Sequence, residues 1–347
     1  MQIIDLVPDL RPTILAAREL RDARNSLARF LPYVNVPAIT YRLGRRKRLD
    51  QTVAVRAFGS PAVPIRRPGV VDVRGELPAI TPIVNLNEVD LNNELVLAQQ
   101  LAGLQVDWQP ALTSGAAAVA VTVDNTLELM RGQVLSTGTV ALVAEDGTEH
   151  SVDFQIPAEQ KITAGAPWEV GSAAAAAAVF NDYAAAHEVY MDVAGDRAGI
   201  ALTSEGLITI LTSALQIMYP QQPVGTDQLG AYLTNRRLPI PVSYDRRLED
   251  ASGARTRVFP DGTLTFLPGN EDPVGRTEMG ITQEAVQQTT RQQPNGRPAL
   301  SAAEVPGMTI VTLGNEDPVE RAVKAAAVGL PVLQDKDIVI LDGLVAP

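Results

Sequence analysis

Residues 31–85 constrain this chain more than any other stretch, because they are extended, proline-rich and unable to enclose a core of their own. Thr52, Val53, Ala54, Val55, Arg56, Ala57 and Phe58 alternate at period two, and Pro61, Pro64, Pro68, Pro78 and Pro82 follow. The alternation reads as strand; the prolines exclude helix interiors and central strands. Gly59-Ser60-Pro61 and Arg66-Arg67-Pro68-Gly69 are turn signals, and residues 69–74 are a second strand candidate. The spacing predicts a long, flat hairpin over 47–82 that projects from the body. A two-stranded hairpin is at best marginally stable alone in water. Such an arm gains stability by lying on another surface, most simply a second copy of the same chain.

Charge points the same way. Residues 1–75 hold fourteen Arg/Lys against six Asp/Glu, a balance of +8; the other 272 residues hold fifteen against thirty-four, a balance of −19. A basic arm on an acidic body suits contact between copies, where complementarity sets register and encounter rate. The candidate inter-subunit residues are Arg42, Arg45, Arg46, Lys47, Arg48, Arg56, Phe58, Arg66, Arg67 and Arg74. The plainer reading is that these arginines solvate an exposed loop. A third is nucleic-acid contact through the run Arg45-Arg46-Lys47-Arg48, but no aromatic residues interleave it and the chain is acidic overall.

The length of 347 residues allows one large or two ordinary domains, and a 46% apolar content is enough for a core. Aromatics are only 4%, so that core is built from Ala, Val, Leu and Ile. The absence of Cys excludes disulfides, thiol catalysis and cysteine metal sites. Met1 to Pro8 lacks a basic region and a long apolar run, unlike a signal peptide, and the apolar stretch 111–123 is too short to span a bilayer. These features predict a soluble chain made in the cytoplasm.

Helical periodicity marks 12–31, with Ile14, Leu15, Leu20, Ala23, Leu27 and Phe30 on one side, Pro12 in the first turn and Pro32 as the stop. This helix can form part of the core or dock on a partner, and its isolation ahead of the extended segment favours docking on a partner. A moderately helical patch covers 88–104. The strongest helix is 115–138, a spine about 30–35 Å long at 1.5 Å per residue. Ala116, Val119, Val123, Leu127, Met130 and Val134 form its stripe, with Val123, Leu127, Met130 and Val134 as its core residues. Asp124 and Glu128 lie off that stripe and are expected at the surface. Asp146-Gly147 between alternating strands at 139–144 and 149–156 is a strong hairpin signal. A second helix covers 172–187, entered through Ser172, and a third covers 203–219. Strand candidates follow at 199–202, 235–244, 256–258 and 264–266, then a polar loop at 283–298 and closing segments at 307–313, 320–327 and 337–341.

Signals of chemistry are weak. His150 and His187 are the two histidines, and neither has a metal-ligand partner at motif spacing; surface or capping roles are expected of both. The acids at 245–250 and 270–272 lack calcium-loop spacing. No nucleophile elbow, Walker or dinucleotide motif occurs. The sequence therefore supplies no catalytic, cofactor-binding or metal residue.

Three stretches carry a family resemblance. Residues 125–140, a helix closing at Gly138 before a strand, are one. Residues 258–270, a strand followed by Leu267-Pro268-Gly269-Asn270, are the second. The third is 317–341, from Asp317-Pro318 through Leu330-Pro331 and Asp335-Lys336-Asp337 to a last strand. With the order of elements, they make the chain resemble the lambda-like E family of tailed-bacteriophage major capsid proteins. The resemblance implies an α+β chain with the Hong Kong 97-type capsid fold: an N-terminal arm (1–46), an extended β-hairpin loop (47–82), a peripheral domain with the spine helix (83–195, completed by part of 305–335) and an axial domain (196–304, with the C-terminal strand 336–347). It implies a major capsid protein, not an enzyme, that forms hexamers and pentamers of an icosahedral shell around the double-stranded DNA of a tailed phage. Synthesis in the host cytoplasm and residence in the virion go with that role. The implied partners are copies of itself, portal and scaffolding proteins, a decoration protein, and DNA held without sequence specificity; no membrane and no cofactor is implied. Some members cross-link through a lysine in the extended loop, but residues 48–160 hold no lysine, which argues for non-covalent overlap or a separate decoration protein. The alternatives are an encapsulin-like cargo shell and a soluble enzyme with an undetected site.

Overall fold

A computed structural model of the chain describes residues 2–3, 11–22, 24–37, 40–46, 70–86, 89, 109–143, 149–249, 253–269, 272–282, 284–285, 302–305, 307–316, 319–334 and 337–346. Strand β1 (Gln2–Ile3) and helix α1 (Arg11–Asp22) come first. A 3-10 turn at Ser26–Arg29 follows, then β2 (Tyr33–Asn35), β3 (Thr40–Arg46), β4 (Val70–Glu76), β5 (Ala79–Ile80) and β6 (Ile83–Leu86). Helix α2 (Gln109–Thr137) is the spine, followed by the hairpin β7 (Thr139–Val143) and β8 (Glu149–Asp153). Next come β9 (Lys161–Thr163), α3 (Ala173–Ala194), β10 (Ile200–Thr203), α4 (Glu205–Met218), α5 (Thr226–Asn235) and β11 (Pro241–Ser243). The ribbon β12 (Arg247–Glu249) and β13 (Arg255–Arg257) precedes β14 (Leu264–Leu267) and β15 (Gly275–Met279). Strands β16 (Ala302–Val305), β17 (Met308–Glu316), β18 (Val319–Leu333) and β19 (Val339–Asp342) complete the chain.

The first sheet runs β1-β17-β18-β15-β2, with β16 also on β17 and β5 and β6 also on β18. Its axis is β18, fifteen residues long, antiparallel to β17, β15, β5 and β6. The small side chains Ala325 and Ala327, on the same face of that strand as Val323, are fully buried and let the spine helix pack closely. At Gly115 an added Cβ would lie 3.3 Å from a Val323 methyl. Gly138, at φ +71°, ends the helix in the left-handed conformation that glycine adopts without penalty, and its N–H bonds the Val134 carbonyl.

The second sheet runs β11-β10-β14-β19-β9 and is buried on both faces. Leu264 and Phe266 of β14, with Val339 and Leu341 of β19, face a core built with α3, α4 and α5. The alternate residues Leu267, Ile338 and Ile340 belong to the core around the spine, and Thr265 bonds the Leu135 carbonyl of α2. Burial on both faces explains why 338–341 reads as an unbroken apolar run.

Several expectations change. The helix expected over 12–31 stops at Asp22 and resumes as a 3-10 turn, and it docks on the spine of its own chain, with Ile14 fully buried. The hairpin expected over 47–82 is a ribbon of β3 with β4, while residues 79–86 return to the body as β5 and β6 on β18. The spine begins six residues before the expected start. A helix, α5, lies between the expected helix over 203–219 and the expected strand over 235–244, and β11 within the latter is confined to three residues. The division expected at 195/196 does not follow the packing. Helix α3 shares a core with α4, α5 and the second sheet, and β15 joins the first sheet. Residues 52–58, most of 88–104, the tip of the 139–156 hairpin and most of the 283–298 loop lie outside the described residues.

Candidate functional site

The arm is a two-stranded ribbon at its base. Strands β3 and β4 pair antiparallel over their full length, Thr40 opposite Glu76 through Arg46 opposite Val70. This register puts Arg42 directly across from Arg74. Like charges directly opposite on a ribbon are destabilising, and their residue types suit an acidic surface. Positions 42, 44 and 46 share one face with 70, 72 and 74, while Arg45 falls on the other. Lys47, Arg48, Arg56, Phe58, Arg66 and Arg67 lie outside the described residues. At the foot of the ribbon, Tyr41 and Leu77 are buried and fasten it to the body.

The spine carries a buried ionic junction. Asp124, Glu128 and Arg131, at positions i, i+4 and i+7 of the spine, project on one side of the helix and are all fully buried. Arg18 of α1 holds Asp124 with a two-pronged pair, Nε to Oδ2 at 2.8 Å and Nη2 to Oδ1 at 2.9 Å. The Tyr33 hydroxyl donates to Asp124 Oδ1 at 3.2 Å. Glu128 accepts from the Leu27 N–H at 3.0 Å, the Tyr244 hydroxyl at 2.6 Å and Arg131 Nη1 at 3.1 Å. Arg131 Nε donates to Thr277 Oγ1, which donates onward to the Leu31 carbonyl at 2.7 Å. The Arg131 guanidinium carbon lies 4.3 Å from the Tyr33 ring centre, a cation–π contact, and its Nη2 is buried without a hydrogen-bond partner among the described residues.

The break in the N-terminal helix has its reason here. The first N–H groups of a helical turn lack intrahelical acceptors. Restarting the chain at Ser26 therefore frees the Leu27 N–H for the Glu128 carboxylate. Burial pushes the Tyr33 phenol above its ordinary range, and burial followed by the adjacent Glu128 carboxylate does the same to Tyr244. Both phenols thus stay protonated as donors. The junction joins four parts of the chain: α1 with the 3-10 turn and β2, the spine, the Tyr244 segment, and β15.

Val123, Leu127, Met130 and Val134 are buried in the core around the spine. Asp124 and Glu128, expected at the surface, are buried instead, because the spine is enclosed by the sheet on one side and by the N-terminal segment on the other. The signal that could have found them is an acid-acid-base series at i, i+4, i+7 on an otherwise apolar helix. His187 is buried, not exposed, and accepts a hydrogen bond from the Ala198 N–H. His150 lies on β8 in register with Leu142. Among the described residues no group of His, Asp and Glu is placed to hold a metal, and no helix is long and apolar enough to cross a membrane.

A family model for phage major capsid protein E matches residues 33–340. The chain belongs to that family. Solved structures that share its fold include two that cover almost the whole chain. A protein of an Escherichia coli CFT073 prophage, assigned as its capsid protein, superposes with TM-score 0.58 at 14% identity over 100% of both chains. A phage-related protein from Bordetella bronchiseptica RB50 superposes with TM-score 0.57 at 12% identity over 99% of both chains. No curated protein matches the chain. As a phage major capsid protein it is a structural component of the virion that self-assembles into the capsid, with the α+β Hong Kong 97-type fold. In that setting the basic ribbon is a candidate contact between copies, and the ionic junction ties the N-terminal segment to the spine within one copy.

Proposed function

We propose that this capsid protein forms hexamers and pentamers of an icosahedral shell around the double-stranded DNA of a tailed phage. Each β3–β4 ribbon lies on the acidic surface of a neighbouring copy. The observation that carries the ribbon contact is the register of Arg42 against Arg74 on a two-stranded element. Such a ribbon is marginal alone and sets two arginines directly opposite each other; a neighbour's acidic surface answers both problems. The charge split of the sequence, +8 in residues 1–75 and −19 in the rest, supplies that surface. In this reading residues 1–46 form the arm, and the ribbon with the segment between its strands forms the extended loop. The first sheet with the spine is the peripheral body. The second sheet with α3, α4 and α5 is the axial body at the centre of each capsomer. Copies meet head to tail, a heterologous contact that closes into rings when the rotation permits, and each buries more than the ~1,600 Å² of a standard interface. The chain is made in the host cytoplasm and meets portal, scaffolding and decoration proteins there; DNA is enclosed without sequence reading.

Negative-stain microscopy of the expressed protein tests the shell. Closed particles are expected, and a monodisperse small monomer under all assembly conditions would refute it. Charge reversal of Arg45, Arg46 and Arg48 together is expected to stop assembly while circular dichroism shows a folded chain. Normal particles from that variant would remove the electrostatic contact.

A further inference from the structure

The spine helix buries two carboxylates, and the neutralising groups of one come entirely from the N-terminal segment. Among the described residues, the three hydrogen bonds that reach Asp124 are donated by Arg18 and Tyr33. Glu128 takes a further bond from the Leu27 N–H, and Thr277, which braces Arg131, is tied to the Leu31 carbonyl. With residues 11–35 packed down but Arg18 and Tyr33 not engaged, Asp124 would be a lone charge sealed from water, and without the Leu27 N–H Glu128 would keep only Arg131 and Tyr244. Burying a charge without a partner is strongly unfavourable. The apolar contacts of the same segment are substantial: Ile14, Leu27, Phe30 and Leu31 are buried in the core around the spine.

We propose that residues 11–35 are a charge-gated latch. The body closes around the spine only when Arg18 and Tyr33 have docked on Asp124, so this segment is a fixed part of the shell subunit and not a removable leader. The charge is the gate because a segment docked without Arg18 on Asp124 seals an unpaired carboxylate from water, which is worse than leaving the segment undocked and the carboxylate solvated. Partial docking by apolar contacts alone leaves Asp124 unpaired, so the latch is either shut or open. If the chain is trimmed at its N-terminus during shell formation, the cut falls ahead of Arg11. That last consequence rests on the capsid reading; the latch itself does not.

Limited trypsin digestion of the full chain reads the latch at the Arg24–Asn25 bond, where Arg24 is exposed and Asn25 is 1% exposed. Arg18→Met and Asp124→Asn are each expected to speed cleavage there on the order of 100-fold, the factor for breaking one side of a buried pair. The double variant Arg18→Met with Asp124→Leu replaces both charges by apolar groups and is expected to return to within about 3-fold of the parent. Cleavage in the singles as slow as in the parent would overturn the latch. So would a double variant as labile as the singles, since packing and not charge would then be at work. Should a single variant not fold, Arg18→Lys keeps the charge but loses the two-pronged geometry. It is expected to speed cleavage roughly 10-fold, and parental cleavage would count against the proposal. A chain lacking residues 1–35 is expected to form no shells where one lacking residues 1–10 still does. Shells from both would refute retention of the latch, whereas no shells from the intact chain would refute the capsid reading and leave the digestion result to stand on its own.

Discussion

Leu127 and Glu128 are adjacent and both fully enclosed, yet they hold the spine by different physics. Leu127→Ala removes apolar contacts and leaves a cavity, a loss of about 2–5 kcal/mol. Glu128→Ala leaves Arg131 buried without its carboxylate and strips the acceptor from Leu27 and Tyr244, a loss of about 3–5 kcal/mol. Urea unfolding monitored by circular dichroism is expected to place both variants well below the parent. A Glu128→Ala midpoint equal to the parent's would mean that the junction contributes nothing. Sequence periodicity identified the leucine but not the glutamate, because a stripe of apolar residues defines one buried face and says nothing of a polar face buried against another segment. His187 is a second case. Burial, then nearby Arg197, hold its imidazole below the usual histidine range, partly offset by Glu188. The rings of Tyr190 and Phe266 flank it, and its Nε2 accepts from the Ala198 N–H. Its folded pKa is thus below its unfolded value of about 6.5, so the unfolded chain binds the proton more readily in that interval. The contribution is fully present above about pH 6.5 and is lost as pH falls through the folded value. His187→Gln is expected to flatten the dependence of the urea midpoint on pH between about 7 and 5; an unchanged slope would assign it to other groups.

Among the elements, glycines separate what is packed from what is merely helical. Gly132 sits where the spine meets the β13–β14 segment, and an added Cβ would lie 2.0 Å from the Val258 carbonyl oxygen. Gly230, inside α5, has nothing within 4 Å of that position. Alanine is a better helix former than glycine by about 1 kcal/mol. Gly230→Ala is therefore expected to raise thermal stability by roughly that amount, and Gly132→Ala to lower it despite the same propensity gain. Differential scanning calorimetry reads both, and shifts of equal sign would show that the close approach at Val258 is not a constraint. The same residue explains why α5 was not legible in sequence. Ten residues with a central glycine give a weak helical pattern, and the start is fixed by Gln228, whose side chain accepts from the Gly225 N–H. The spine, the pairing of β7 with β8 and the Ser172 entry to α3 were legible because each is decided locally, by period or a side-chain cap. The division into bodies was not, because α3 and β15 are assigned by long-range packing that no local pattern records.

At the scale of the whole molecule, the charge split and the β3–β4 ribbon make a testable pair. If ribbons meet acidic surfaces across copies, the attraction is between exposed charges and is screened beyond a Debye length of ~8–10 Å. Assembly, followed by light scattering, is expected to weaken steadily as salt rises, and assembly unchanged by molar salt would transfer the contact to apolar surface. The ionic junction inside each copy responds differently, since its charges are removed from solvent and poorly screened. Salt should therefore disassemble shells before it unfolds subunits. Covalent chemistry is the remaining way in which such a shell could resist salt. The loop between β3 and β4 has no lysine beyond Lys47 at its base, and the next lysine in the sequence, Lys161, lies on β9 in the second sheet. Lys324 is already engaged by Glu284 at 2.8 Å. An amide bond between copies needs a lysine carried by the reaching element, so assembled shells boiled in detergent are expected to run as single chains on a gel. A ladder of multimers would require a lysine elsewhere to reach a neighbour, and would also predict shells that survive the molar salt at which the non-covalent contact fails.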